Sequence, residues 1–174
     1  TQPDLALQYN TPRGYAPFRE LMVQRLKEHD GIGREFDDLF IVTGGQQAVD
    51  LSTKIFCNEG DVVLVEEPSF IGALNAFRSY NTKLVGVPVD REGMDLDLLE
   101  DALKKNKNAK FLYIISTFQN PSGITTSLER RKAILELAEK YNVMILEDNP
   151  YFELRYSGEY VPPLKHLDPY GRVI

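Results

Sequence analysis

The sequence predicts an α/β fold, a three-layer αβα arrangement around a mainly parallel sheet. Three observations lead there. Short apolar runs alternate with amphipathic stretches of helical period along the chain. Runs such as VVLV (62–65) and FLYII (111–115) carry no charged residue, as strands covered on both faces require. Of 174 residues, 43% are apolar and 26% charged, a globular composition with enough apolar mass for a sizeable core.

The elements follow in order. GYAPFRELMVQRLKEHDG (14–31) is a helix with Pro17 in its first turn, Phe18, Leu21, Met22, Val23 and Leu26 as its apolar face, and Gly31 as its stop. LFIVT (39–43) reads as a strand. QAVDLSTKIF (47–56) reads as a helix with Val49, Leu51, Ile55 and Phe56 toward the core. DVVLVEEP is a strand closed by proline, FIGALNAFRSY a helix, KLVGVPV a strand and DREG a turn. DLDLLEDALKK is a helix with acids first and lysines last, which suits the macrodipole. KFLYIIST is a strand. TSLERRKAILELAEKYN opens as a helix on a capping box of Thr126 and Glu129. VMILED (143–148) is a strand, and RVI (172–174) begins another.

Charge and cysteine content exclude several classes. The net charge is −6, and no stretch concentrates Lys and Arg, which argues against a nucleic-acid surface. KKNKNAK (104–110) reads as a solvated helix end. A single cysteine, Cys57, excludes an internal disulfide framework and fits a reducing, cytoplasmic setting. It reads as a small buried hydrophobe on a helix. No apolar run approaches the roughly 20 residues of a membrane span, and no signal-peptide pattern is present. The opening TQPDLALQYN lacks an initiator Met, and the closing RVI stops one step into a strand. A fragment of a longer protein is the expectation.

In parallel sheets ligands bind beyond the carboxyl ends of the strands, so those residues carry the functional reading. Gly44-Gly45-Gln46-Gln47 reads as a plain tight turn or as a phosphate cradle at a helix N-terminus. Phe70, directly after a strand, either packs into the core or stacks on a flat ring. Asn120, in Ser116–Gly123, offers both a donor and an acceptor, or simply forms a turn before Pro121. Glu147 and Asp148 end an apolar strand. Either both are exposed, or one faces the crevice and meets a cation, because alternation turns only one of them inward. A metal is not expected, since His29 and His166 lie away from the strand ends and read as surface residues. Leu7-Gln8-Tyr9-Asn10 reads as a polar entry segment.

Taken together and in this order, the Gly/Ser-Gln-Gln turn, Glu67-Pro68-Ser69-Phe70, Asn120-Pro121-Ser122-Gly123 and Glu147-Asp148-Asn149-Pro150-Tyr151 resemble the fold-type I aminotransferases of class I/II that use pyridoxal 5′-phosphate. The likeness is nearest to the aminoadipate, kynurenine and related broad-specificity branch. It implies that residues 1–174 are part of the large cofactor domain, without the N-terminal arm, the Schiff-base lysine segment or the C-terminal small domain. It implies Gly45 and Gln46 at the cofactor phosphate, with no hydroxyl at Gly45 where many relatives carry Ser. Phe70 would stack on the pyridine ring. Asn120 would bond the phenolic O3′ and help place the substrate carboxylate. Asp148 would pair with the ring nitrogen, Tyr151 would also bond O3′, and Tyr9 would serve the site of a neighbouring subunit. The substrates implied are an amino acid and a 2-oxo acid, the partner a second copy in a homodimer, with no membrane.

One departure stands out. The family's lysine falls past Ile174, Lys165 lies in the loop-like VPPLKHLDP, and the family's C-terminal arginines are absent. The 174-residue chain is therefore expected to be inactive by itself. Two other readings stay open: the aminotransferase-like sensor domain of a winged-helix transcription regulator, and a pyridoxal-phosphate β-lyase or decarboxylase.

Overall fold

The computed structural model describes residues 3–9 and 11–174. It divides into two compact units, Thr1–Gly44 and Gly45–Ile174.

The first unit carries helices α1 (Pro3–Ala6) and α2 (Ala16–Asp30). Pro17 sits in the first turn of α2, and Gly31 caps it in the left-handed conformation, as the sequence requires. Its apolar face differs from expectation: Phe18, Leu21 and Val23 are exposed. LFIVT is not a strand. Its backbone groups bond without forming a ladder: Ile41 N–H donates to Arg13 O, Leu39 O accepts from the Arg19 guanidinium, and Val42 O accepts from Gly44 N–H. Without a neighbouring ladder an extended apolar run forms no sheet.

The second unit holds a five-stranded sheet of order β3-β2-β1-β4-β5. Its strands are β1 (Val62–Glu67), β2 (Lys83–Asp90), β3 (Gly93–Met94), β4 (Ala109–Ile114) and β5 (Met144–Glu147). All pairings are parallel except the β2–β3 hairpin at the edge. The final RVI joins β5 through a single parallel bridge, Val173 to Ile145. Helices α3 (Gly44–Phe56) and α4 (Ile71–Ser79) cover one face; α5 (Leu96–Lys105), α6 (Leu128–Tyr141) and the short α7 (Leu164–Leu167) cover the other.

Two cores result, one per face. Val63, Val65, Phe111, Tyr113 and Ile115 pack with Val49, Ala73 and Phe77. Val62, Leu64, Leu112, Ile114 and Ile145 pack with Leu99, Leu103, Ile134 and Leu135. Alternate residues of β1 and β4 thus feed opposite layers, which is why neither run carries a charge.

Three helices refine the sequence reading. In α3 the buried positions are Val49, Ser52 and Thr53, while Leu51, Ile55 and Phe56 are exposed. Thr53 tolerates burial because its hydroxyl donates to Val49 O at 2.7 Å. Cys57 is buried just past the end of α3, and burial pushes its thiol up to about 11. The cap of α6 is Ser127, not Thr126. Thr126 is buried, and its N–H is spent on Ser116 O, so the Thr126–Glu129 box does not form. VPPLKHLDP is not all loop, since its centre forms the single turn of α7.

At the end of β1, Glu66 is 2% exposed and accepts a hydrogen bond from Ile115 N–H at 2.9 Å. Burial pushes its carboxyl up to about 7, against the lowering effect of its donors Ile115 and Gln119. The folded protein thus holds this proton more tightly than the unfolded chain, whose glutamates titrate near about 4.5. Stability should fall as pH rises from there through about 7, by about 3 kcal/mol in total. Glu66→Gln keeps an acceptor for Ile115 and should flatten this part of the curve in urea titrations between about pH 5 and about pH 8. An unchanged slope would show that Glu66 does not carry it. Leu64→Ala, in the centre of β1, should cost about 3 kcal/mol in the same assay.

Candidate active site

Strand β1 is followed by β2 on one side, whereas β4 is followed by β5 on the other. At their carboxyl ends the connections part, and a crevice opens. A cavity of about 230 Å³ lies there, lined by Gly45, Gln46, Phe70, Ile115, Asp148 and Tyr151 with Val49 and Pro150. Five of the residues singled out in the sequence therefore meet around one space.

Gly45 and Gln46 belong to the first turn of α3, where backbone N–H groups lack intrahelical partners. A Cβ placed on Gly45 would meet no atom within 4 Å, so this corner is open. Gln46 turns its amide back and donates to Gly72 O at 3.1 Å. Phe70 precedes the first residue of α4 and is half-buried. Its ring lies against Gly72, where a Cβ would stand 2.5 Å from the ring carbons. Only a residue without a side chain lets Phe70 lie there, so Gly72 belongs to the site.

Asp148 follows β5 directly. Its N–H donates to Ile114 O at 2.9 Å, which extends the ladder and fixes the direction of the side chain. Its Oδ2 accepts from the Tyr113 hydroxyl at 2.7 Å. Tyr113 is fully buried, with its ring edge-on to Phe77 at 5.4 Å. Burial first, and the Asp148 charge next, push the phenol well above its usual range, so Tyr113 remains a donor. Glu147 faces away from the cavity. It accepts from Leu164 N–H and Lys165 N–H, each at 2.9 Å, and from the Ser116 hydroxyl.

Tyr151 caps the 3-10 turn Phe152–Leu154. Its hydroxyl lies 3.4 Å from Asn120 Nδ2. Asn120 does not line the first cavity. It lines a second, more open one of about 370 Å³ with Phe118, Gln119, Pro121 and Tyr151, so Tyr151 is common to both. The peptide bonds Glu67–Pro68 and Asn120–Pro121 are cis. Tyr9 belongs to the first unit, where its side chain is fully exposed. Asn10, from the same entry segment, lies outside the described residues. The Lys165 ammonium donates to Val173 O at 2.8 Å. Among the described residues no group of three His, Cys, Asp or Glu stands together as for a metal ion. None of their helices is long and apolar enough to cross a membrane.

Sequence reasoning missed Tyr113, Glu66, Gly72 and Gln119. Tyr113 had a signal: a hydroxyl inside an apolar strand needs a partner. Glu66 had one too, as an acid one step before the strand end.

The cavity presents a carboxylate, an aromatic ring and an uncovered helix N-terminus. That set suits a flat cationic heterocycle with an anionic tail, which is the chemical character of pyridoxal phosphate. Two buried oxygens near it, Ser69 Oγ and Asn149 Oδ1, have no hydrogen-bond partner.

The family model of aminotransferase class I and II matches residues 3–172. An aromatic-amino-acid aminotransferase of Thermococcus litoralis is 47% identical over 97% of this chain and 42% of its own length. The solved kynurenine aminotransferase of Pyrococcus horikoshii, in complex with PMP, superposes with a TM-score of 0.94 at 44% identity, covering 98% of this chain and 43% of that one. An HTH-type transcriptional regulator of Bacillus subtilis, YisV, is 33% identical over 98% of this chain and 35% of its own length. The chain thus spans less than half the length of these relatives. Its motifs, its sheet and the match along nearly all of its residues agree: the chain belongs to the aminotransferase class I and II family.

Proposed function

We propose that Gly45–Tyr151 forms the pyridoxal 5′-phosphate pocket of an aminotransferase that moves an amino group between an amino acid and a 2-oxo acid. The observation that carries this reading is the Asp148 carboxylate, held by Tyr113 at one side of the cavity that Phe70 and the start of α3 also line. When bound, the cofactor supplies a ring that draws in the negative charge left as a substrate Cα proton departs.

Each residue has a defined part. Asp148 holds a positive charge on the ring nitrogen, because an adjacent anion favours the protonated form of a cationic acid. Tyr113 fixes the direction of that carboxylate by donating to one oxygen. Phe70 offers the face of its ring for stacking. The backbone N–H groups of Gly45 and Gln46 take the phosphate. Tyr151 and Asn120, 3.4 Å apart, supply donors to the ring oxygen, and Asn120 orients the substrate carboxylate. Exposed Tyr9 serves the site of a second copy in a cytoplasmic homodimer. No lysine of the 174 residues is assigned to proton transfer, so these residues bind and orient.

A second reading rests on the similarity to the regulator: the same pocket then senses a ligand for a DNA-binding partner domain. Turnover by the full-length protein with an amino acid and a 2-oxo acid separates the two.

Asp148→Asn tests the pocket. It removes the charge at nearly constant shape and should weaken pyridoxal phosphate binding about 30-fold or more in equilibrium dialysis, roughly 2 kcal/mol. Affinity within twofold of the parent would remove Asp148 from its assigned place.

A further inference from the structure

Gln119 is 2% exposed and stands one residue before Asn120. Its amide nitrogen donates to Pro68 O at 2.7 Å, and the amide works against the upward push of burial on the nearby Glu66 carboxyl. Its amide oxygen accepts from Ser122 N–H at 2.8 Å and from the Ser122 hydroxyl at 2.6 Å. This amide thus makes three hydrogen bonds within the protein, one as donor and two as acceptor. The backbone is equally committed: Gln119 N–H donates to Ile124 O, and Gln119 O accepts from Gly123 N–H.

These bonds join two segments far apart in sequence. Pro68 lies on the connection from β1 that presents Phe70. Ser122 lies in the turn that presents Asn120. Glu66, on the same strand as the Pro68 connection, takes Ile115 N–H just past the end of β4 and so ties that strand to the one leading to Gln119. A surface glutamine would make no such set, and a purely local turn would not reach across to Pro68.

We propose that Gln119 is a positioning residue, whose buried amide clamps the Pro68 and Ser122 segments together and so sets the mutual placement of Phe70 and Asn120. The role rests on the cofactor reading above, and Gln119 itself touches neither cofactor nor substrate. It acts on the ring end of the ligand, through Phe70 and Asn120. The phosphate end depends on α3, to which Gln119 makes no recorded bond.

That separation defines the test. In the full-length protein, Gln119→Leu keeps the bulk and deletes all three side-chain bonds. Gln119→Glu, as its carboxylate, keeps the acceptor for Ser122 but cannot donate to Pro68 O and stands against Glu66. Affinities for pyridoxal phosphate and for inorganic phosphate are measured for parent and variants by equilibrium dialysis, with circular dichroism to register folding. The expected result is a loss of about tenfold for pyridoxal phosphate, with inorganic phosphate within about twofold. A fold-wide defect would lower both together and overturn the proposal. So would unchanged pyridoxal phosphate binding in both variants. If Gln119→Leu fails to fold, the same two affinities in Gln119→Glu decide. Should the parent bind inorganic phosphate but not pyridoxal phosphate, the cofactor reading falls first, and the positioning role falls with it.

Discussion

The parallel pairing of β1 with β4 is the constraint on which the rest of the second unit depends. The two strands are separated in sequence by α4, β2, β3 and α5, so their register is a long-range contact with a real closure entropy. Burial on both faces offsets that cost, since Val63 and Val65 enter one core while Val62 and Leu64 enter the other. The pairing also brings Glu66 to Ile115 N–H and Pro68 to the Gln119 amide. It sets Tyr113 on the face where Asp148 arrives from β5. Slip the register by one residue and all three meetings are lost, because every side chain would change face.

Two acids near the carboxyl ends of different strands show how place sets character. Glu66 ends the central strand in a dry position with donors on its carboxyl, and burial outweighs them, so its neutral form is favoured up to about pH 7. Asp148 directly follows an outer strand, is half-buried, and borders the cavity with a hydroxyl donor at one oxygen. One acid is therefore fitted to hold backbone together. The other is open to a ligand's charge. The same side-chain chemistry takes on a different character according to burial and to the donors around it.

Much of this was legible from the sequence. Uninterrupted apolar runs marked most of the strands, and the residues following those runs, taken with the family resemblance, offered Gly45, Gln46, Phe70, Asp148 and Tyr151, which line one cavity. What stayed hidden depended on partners distant in sequence. LFIVT has the composition of a strand, yet strand formation needs a ladder that composition does not reveal. Leu51 and Ile55 outrank Ser52 and Thr53 on any hydrophobic scale, but a hydroxyl that bonds the preceding turn can be buried in their place. Gln119 looked like one more polar loop residue, because Pro68 and Glu66, which define it, belong to another strand's connection.

The pair Glu147–Asp148 is settled by what lies on each side of the sheet. On the α6 side, Arg131 is fully buried and donates to Thr126 O, Ser116 O, the Thr117 hydroxyl and Pro162 O, all of them neutral. Burial lowers the pKa of that guanidinium, and the charge of Glu147 raises it, so the two ions support each other through the intervening Ser116. Glu147 is further satisfied by the N–H groups that open α7. Such a carboxylate has its hydrogen-bonding needs met within the fold. Asp148, one residue on, has a tyrosine hydroxyl as its recorded side-chain partner and a cavity before it. Alternation along a single strand therefore divides two adjacent acids into one bonded within the fold and one that borders the cavity.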